Sequence, residues 1–167
     1  MNGSAAPIES IRRQLIELLP RLRRFARTLA RNTHDADDLV QLAVERALLR
    51  YEQWQPERRF DGWMFGIMRN AWIDEVRSRT RREHVLAPED AAENVGDRSS
   101  DAQLRSLAVQ AALAALPEEQ RSAVALVLIE GLSYQEAADV LEVPIGTLTS
   151  RLARGRAAMQ ASLGDPT

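Results

Sequence analysis

Cysteine and lysine are both absent from the 167 residues, and histidine occurs twice. Without cysteine the chain has no disulfide and no thiolate ligand for a metal, which fits a reducing compartment. Long apolar runs are missing as well. The longest, AVALVLI at 123–129, falls far short of the about 20 residues that cross a bilayer, and the opening MNGSAAPIESIRRQ lacks the apolar core of a signal peptide. The expectation is a cytoplasmic chain with no membrane insertion. Alternation of apolar and polar residues, the mark of a half-buried strand, appears nowhere, so an all-α fold is expected.

Hydrophobic residues at 45% and charged residues at 28% are ordinary for a globular protein, so the information lies in how the charge is distributed. A net charge of -2 argues against a free-standing DNA-binding domain, which is basic as a rule. Yet the arginines cluster. Arg12, Arg13, Arg21, Arg23, Arg24, Arg27 and Arg31 come early, Arg69, Arg77, Arg79, Arg81 and Arg82 in the middle, and Arg151, Arg154 and Arg156 near the end. Acids gather elsewhere, from Glu83 to Asp101, with Arg98 alone opposing them. Arginine's planar fork donates two parallel hydrogen bonds to phosphate, while a coding bias toward arginine would equally remove lysine; both explanations stand.

Apolar residues recur at helical spacing through Ile11, Leu15, Leu18, Leu22, Phe25 and Leu29, with Pro20 expected as a kink or boundary. A second helix is expected from Thr33 to Tyr51, its first turn carrying Asp35, Asp37 and Asp38, which favour a helix N-terminus. QWQPERRFDG at 53–62 reads as a loop. A third helix, from Gly62 to about Arg82, places Met64, Ile67, Ala71 and Val76 on one face. HVLAPEDAAENVGDRSS, at 84–100, carries Pro, Gly, Ser and acids without an apolar period and reads as a flexible acidic linker. Helical patterning resumes from Ala102 to Leu116 and again in LPEEQRSAVALVLIEG, with Pro117 in the first turn and Gly131 at the C-terminal cap. The reading is two small helical domains, at 8–82 and 102–163, joined by a linker at 83–101.

In GLSYQEAADVLEVPIGTLTSRLARGRAAM, at 131–159, Ser133 and Glu136 have the spacing of a capping box. Ala137, Ala138 and Leu141 can pack inward, Pro144 interrupts, and Leu148, Leu152, Gly155 and Met159 continue a second apolar ladder. At about 100° per residue, Thr147, Ser150, Arg151 and Arg154 share another face, with short hydroxyls that can approach base edges and arginines for guanine or phosphate. The small Ala138 and the four-residue break fit a helix-turn-helix. A helical hairpin with a solvated arginine face fits the same residues.

Tyr51, Trp54, Phe60, Trp63, Phe65 and Trp72 crowd into 22 positions just before an arginine run, counted inclusively from 51 to 72. Rings stack on unpaired bases while arginines follow the backbone, although Phe60 and Trp72 read as core. DADDLVQLAVERAL, at 35–48, sets carboxylates beside His34. A metal-dependent phosphohydrolase needs more convergent ligands than these, and the other histidine, His84, falls in the linker. Capping and a solvated face account for the acids, so no metal, cofactor or catalytic residue is expected.

Residues 116–159, from LPEEQRSAVALVLIEG through SRLARGRAAM, resemble region 4 of the extracytoplasmic-function (ECF) sigma factors, bacterial subunits that direct RNA polymerase to promoters. The resemblance implies that the second helix of the motif enters the major groove of the minus-35 element, with Pro144, Gly146, Thr147, Ser150, Arg151 and Arg154 as its contacts. FDGWMFGIMRNAWIDEVRSRTRR, at 60–82, resembles regions 2.3 and 2.4, which melt and read the minus-10 element. This implies roles for Trp63, Asn70 and Arg77, with Asn70 holding a base turned out of the stack and the loop at 55–61 helping to specify it. The 35–48 stretch resembles region 2.2, which docks on the largest polymerase subunit, and implicates Asp38, Leu39 and Gln41. Thr149 stands where Lys or Arg is common, Val127 and Gly66 where arginine is frequent, and Leu42 where glutamate is common. Glu142 replaces a common turn glycine, and a left-handed conformation costs such a residue about 1 kcal/mol. The resemblance runs from Leu15 to Met159 and implies core RNA polymerase, promoter DNA and an inhibitory anti-sigma factor as partners. The competing reading is a stand-alone helix-turn-helix regulator switched through its N-terminal domain.

Overall fold

The computed structural model describes residues 8–30, 32–83 and 100–164. Of the expected linker at 83–101, residues 84–99 lie outside the described residues, while Glu83 ends the helix before it and Ser100 and Asp101 cap and begin the helix after it. Among those described, seven α-helices form two compact units, one on each side of that segment, and no strand occurs.

Helices α1 (Ile8–Leu29), α2 (Thr33–Leu49) and α3 (Phe60–Glu83) make the first unit. The predicted ladder of α1 is buried, from Ile11 to Leu29, but the helix runs through Pro20 without the boundary that proline predicts. Pro20 lies on the exposed side, where water can serve the Ile16 carbonyl left without a partner. Buried Leu18 and Leu22 flank it, each worth about 1.5–3 kcal/mol, enough to outweigh a proline cost of about 3 kcal/mol. Asn32 caps α2, its side chain accepting from the Asp35 N–H at 2.8 Å. Ala36, Ala43 and Ala47 on the buried side of α2 let α1 and α3 both pack closely on it. The helix stops at Leu49, before the expected Tyr51, which instead begins a single 3-10 turn, Tyr51–Gln53.

The buried face of α3 is Met64, Phe65, Met68, Ala71 and Trp72; Val76 is exposed and Ile67 half-buried, contrary to the face read from spacing. Phe65 meets Phe25 of α1 edge-on at 5.1 Å, which turns the row of Phe65, Met68 and Trp72 inward in place of Ile67. Farther along, Arg79 ties α3 to the start of α2. Its Nη1 and Nη2 donate to the two Asp35 oxygens at 2.8 and 2.7 Å, its Nε donates to Glu75 at 3.1 Å, and its guanidinium lies 6.0 Å from the Trp72 ring centre. The Arg79 hydrogen bond holds the Asp35 carboxyl below its ordinary range against the opposing effect of burial. Such a depressed value stabilises the fold above the unfolded carboxylate value of about 3.9 and is lost as pH falls through the folded one. Asp35→Asn is expected to cost about 1 kcal/mol at neutral pH. Thermal denaturation should show the gap to wild type closing as pH falls below the unfolded carboxylate value of about 3.9.

The second unit comprises α4 (Asp101–Ala114), α5 (Glu118–Val124), α6 (Tyr134–Leu141) and α7 (Ile145–Leu163). Ser100 and Gln103 form a capping box at α4. Beyond α5 the chain widens into a π turn, Ala125–Ile129, and Gly131 follows at φ 75°, as its predicted capping role requires. The predicted box opens α6: Glu136 N–H donates to Ser133 Oγ at 3.1 Å, and Ser133 N–H to Glu136 Oε2 at 2.8 Å. The helix ends where Glu142 turns left-handed, with φ 55° and ψ 45°. Val143 N–H then reaches the Ala138 carbonyl and Glu142 N–H that of Asp139, the paired bonds of a Schellman turn. Glutamate thus occupies a glycine position, and Glu142→Gly should raise the denaturation midpoint, by about 0.5–1 kcal/mol in stability.

Candidate nucleic-acid interfaces

Leu148, Leu152 and Gly155 seat α7 against α5 and α6, with Met159 half-buried at the end of the ladder. A Cβ on Gly155 would stand 2.6 Å from Val124 Cγ2 and 3.3 Å from the Gln120 carbonyl oxygen, so the missing side chain sets how closely α7 meets α5. Of the six residues expected at the minus-35 element, Pro144, Gly146, Ser150 and Arg154 are exposed, and Thr147 and Arg151 are half-buried. Ser150 Oγ donates back to the Gly146 carbonyl at 3.1 Å, leaving its lone pairs to accept from a base amino group. Thr149 is likewise bonded back, to the Ile145 carbonyl at 2.8 Å. The two arginines differ. Arg154 reaches into solvent, whereas the Arg151 side chain is 23% exposed and its Nη2 lies 3.5 Å from Glu119 Oε1 of α5.

In the first unit Trp63, Asn70 and Arg77 recur every seven residues and so line one side of α3, about 10 Å apart. Asn70 and Arg77 are exposed and Trp63 is half-buried, 5.7 Å from the Phe60 ring. Phe60 and Trp72 are buried, as their reading as core requires. Phe60 in turn meets Trp54 edge-on at 5.4 Å, beneath the loop that links the 3-10 turn to α3. Asp61, at the end of the loop expected to help specify the base, has a role that its sequence context does not reveal. It is buried, accepting from Arg59 Nη2 at 2.8 Å and from Arg21 Nη1 at 3.1 Å, and the second partner lies 40 positions away, beyond the reach of any local pattern.

On α2, Asp38 and Gln41 are exposed, and His34 Nε2 lies 3.3 Å from an Asp38 oxygen. Leu39, expected beside them at the polymerase contact, is only 4% exposed. It falls three residues after Ala36 and four before Ala43, on the inward face of the helix, and lies beneath that surface instead of on it. Next to Gln41, α1 and α2 frame an open groove lined by Leu19, Arg23, Arg27, Val40 and Val44. Among the described residues no group of three or more metal-ligating side chains occurs, and no helix is long and apolar enough to cross a membrane.

Residues 15–82 match the sigma-70 region 2 family, and residues 106–159 match sigma-70 region 4. The chain is 36% identical over 156 residues to the ECF RNA polymerase sigma factor EcfG of Rhodopseudomonas palustris, covering 93% of this chain and 86% of that protein. It is 39% identical over 141 residues to SigE of Mycolicibacterium smegmatis, covering 81% of this chain and 54% of that longer relative. A solved structure of the sigma factor RpoE in complex with the anti-sigma factor NepR, from Bartonella quintana, aligns with a TM-score of 0.78 at 30% identity, over 93% of this chain and 97% of that one. Since both region families match in order, one on each helical unit, and EcfG matches along most of its length, the chain belongs to the ECF sigma factors of the sigma-70 family.

Proposed function

We propose that this chain gives core RNA polymerase its promoter specificity in the bacterial cytoplasm, with region 2 at 8–82 and region 4 at 102–163 joined by a linker at 83–101. The observation that carries this reading is the pairing, in one chain, of two unlike surfaces. One is a helix-turn-helix shaped for duplex DNA, and the other is a Trp63, Asn70 and Arg77 row beside ring-lined loop feet, suited to an unpaired strand. A stand-alone regulator accounts for the first surface and leaves the second without a use.

At the minus-35 element the start of α7 meets the major groove. Its first-turn N–H groups have no intrahelical partner and can bond phosphate, with Pro144 and Gly146 leaving room for the backbone to approach. Thr147 and Ser150 reach base edges, Arg154 takes a guanine edge or phosphate, and Arg151 exchanges Glu119 for DNA. At the minus-10 element Asn70 bonds an extruded base, which offsets an unstacking cost of a few kcal/mol, while Trp63 supports it and Arg77 meets phosphate. Asp38 and Gln41, backed by Leu39, face the largest polymerase subunit. Transcription chemistry belongs to the core enzyme, and the chain supplies no catalytic group. Its net negative charge is compatible with this division, because it meets promoters as part of a holoenzyme. The complex of the similar RpoE with NepR supports an anti-sigma partner for this chain too.

Asn70→Ala should slow open-complex formation on duplex promoters by about tenfold or more, followed by base reactivity in the melted region, while minus-35 binding is unchanged. Melting at the wild-type rate would remove Asn70 from this role. The whole reading is tested by promoter-directed transcription with core polymerase.

A further inference from the structure

We propose that Asp61 is a positioning residue: it fixes the shape of the loop at 55–59 and thereby the base preference at the extruded minus-10 position. The inference rests on the minus-10 reading of α3. Residues 55–59 are all exposed, whereas Trp54 and Phe60 at the two feet are buried. Ordering a backbone costs about 1–2 kcal/mol per residue, so a loop standing on apolar feet alone would sample many shapes. Polar ties oppose this. Trp54 Nε1 donates to the Arg58 carbonyl at 3.1 Å, and Arg58 N–H to the Gln55 carbonyl at 2.9 Å. Asp61 supplies the joint to the scaffold. Its Oδ2 accepts from Arg59 of the loop and from Arg21 of α1, and its Oδ1 accepts from Gly62 N–H at 2.7 Å.

Arg21 is itself held over the Phe65 ring, 5.3 Å from its centre, so the joint reaches the core of the unit. With its side chain 9% exposed, the carboxylate is badly placed to touch DNA. Its effect is to share one negative charge between two guanidinium groups and hold the loop arginine at one place. A base arriving from the duplex then meets donors and acceptors already in position, and discrimination follows from that preorganisation.

The test uses holoenzyme formed from the full chain and core RNA polymerase. Fluorescent single-stranded minus-10 oligonucleotides carry each base in turn at every position. Wild type should prefer one base at the extruded position, and Asp61→Asn, which keeps the shape and removes the charge, should shrink that preference by about tenfold. Binding of duplex minus-35 DNA and of core polymerase should not move. Asp61→Glu should recover part of the preference, and Arg59→Gln, at a half-exposed side chain, should reproduce the loss. An undiminished preference in both Asp61→Asn and Arg59→Gln overturns the positioning role and leaves the minus-10 reading intact. No base preference in wild type at any position overturns both. Should Asp61→Asn fail to fold, Arg59→Gln decides by the same criterion.

Discussion

Replacing Arg151 and Arg154 together by alanine should weaken binding to minus-35 duplex by about a hundredfold, because each well-placed arginine contact to a base is worth about 1–3 kcal/mol. Affinity for core polymerase should stay the same. The single variants are expected to differ. Arg151 must give up Glu119 before it meets DNA, and such a partly exposed pair is worth up to about 1 kcal/mol, so Arg151→Ala should lose less than Arg154→Ala. Anisotropy titrations over a salt series separate the contact types. Loss of a phosphate contact lowers the salt slope by about 1, whereas loss of a base contact relaxes sequence preference. If the double variant binds minus-35 DNA normally but loses polymerase, the arginines serve packing against α5 instead.

Gly155→Val should have the largest effect on stability. The added carbons enter a space in which even a Cβ stands 2.6 Å from a methyl of Val124, a stiff side chain buried at 2% exposure, and 3.3 Å from backbone oxygen. Neither neighbour can swing away, and overpacking of this kind costs about 3 kcal/mol. For a unit of this size the midpoint should fall by roughly 12–24 °C, measured by circular dichroism. Gly155→Ala should cost less, because one carbon clashes and the better helix propensity returns about 1 kcal/mol. Minus-35 binding should fail in the valine variant while binding of single-stranded minus-10 oligonucleotides persists. Arg154→Ala should melt like wild type and Arg151→Ala within about 4–8 °C of it, well short of the valine variant, which distinguishes a lost contact from a lost fold.

The helix-turn-helix was legible because its determinants are local. The Ser133 and Glu136 box, the left-handed turn at Glu142 and the Leu148, Leu152, Gly155 ladder all lie within a few residues of the bonds they make. The first unit was harder for the opposite reason. Asp35 and Arg79 are 44 positions apart and Asp61 and Arg21 are 40 apart, so neither joint leaves a mark at helical spacing. The face of α3 depends on which ring meets Phe25, and periodicity alone cannot choose between Phe65 and Ile67. Pro20 does not form the boundary that a local cost suggests, because burial on both sides of it outweighs that cost. Leu39 shows a further limit: an apolar residue between two exposed polar ones can belong to the core while those polar residues face solvent.

The most direct test of the account is run-off transcription with the purified chain and purified core RNA polymerase on a library of promoter templates. Discrete start sites are expected on templates carrying both a minus-35 and a minus-10 element, with no specific transcript from core alone and reduced output when either element is scrambled. A chain that binds duplex DNA by itself, and gives no transcript until another sigma factor is added, would contradict it.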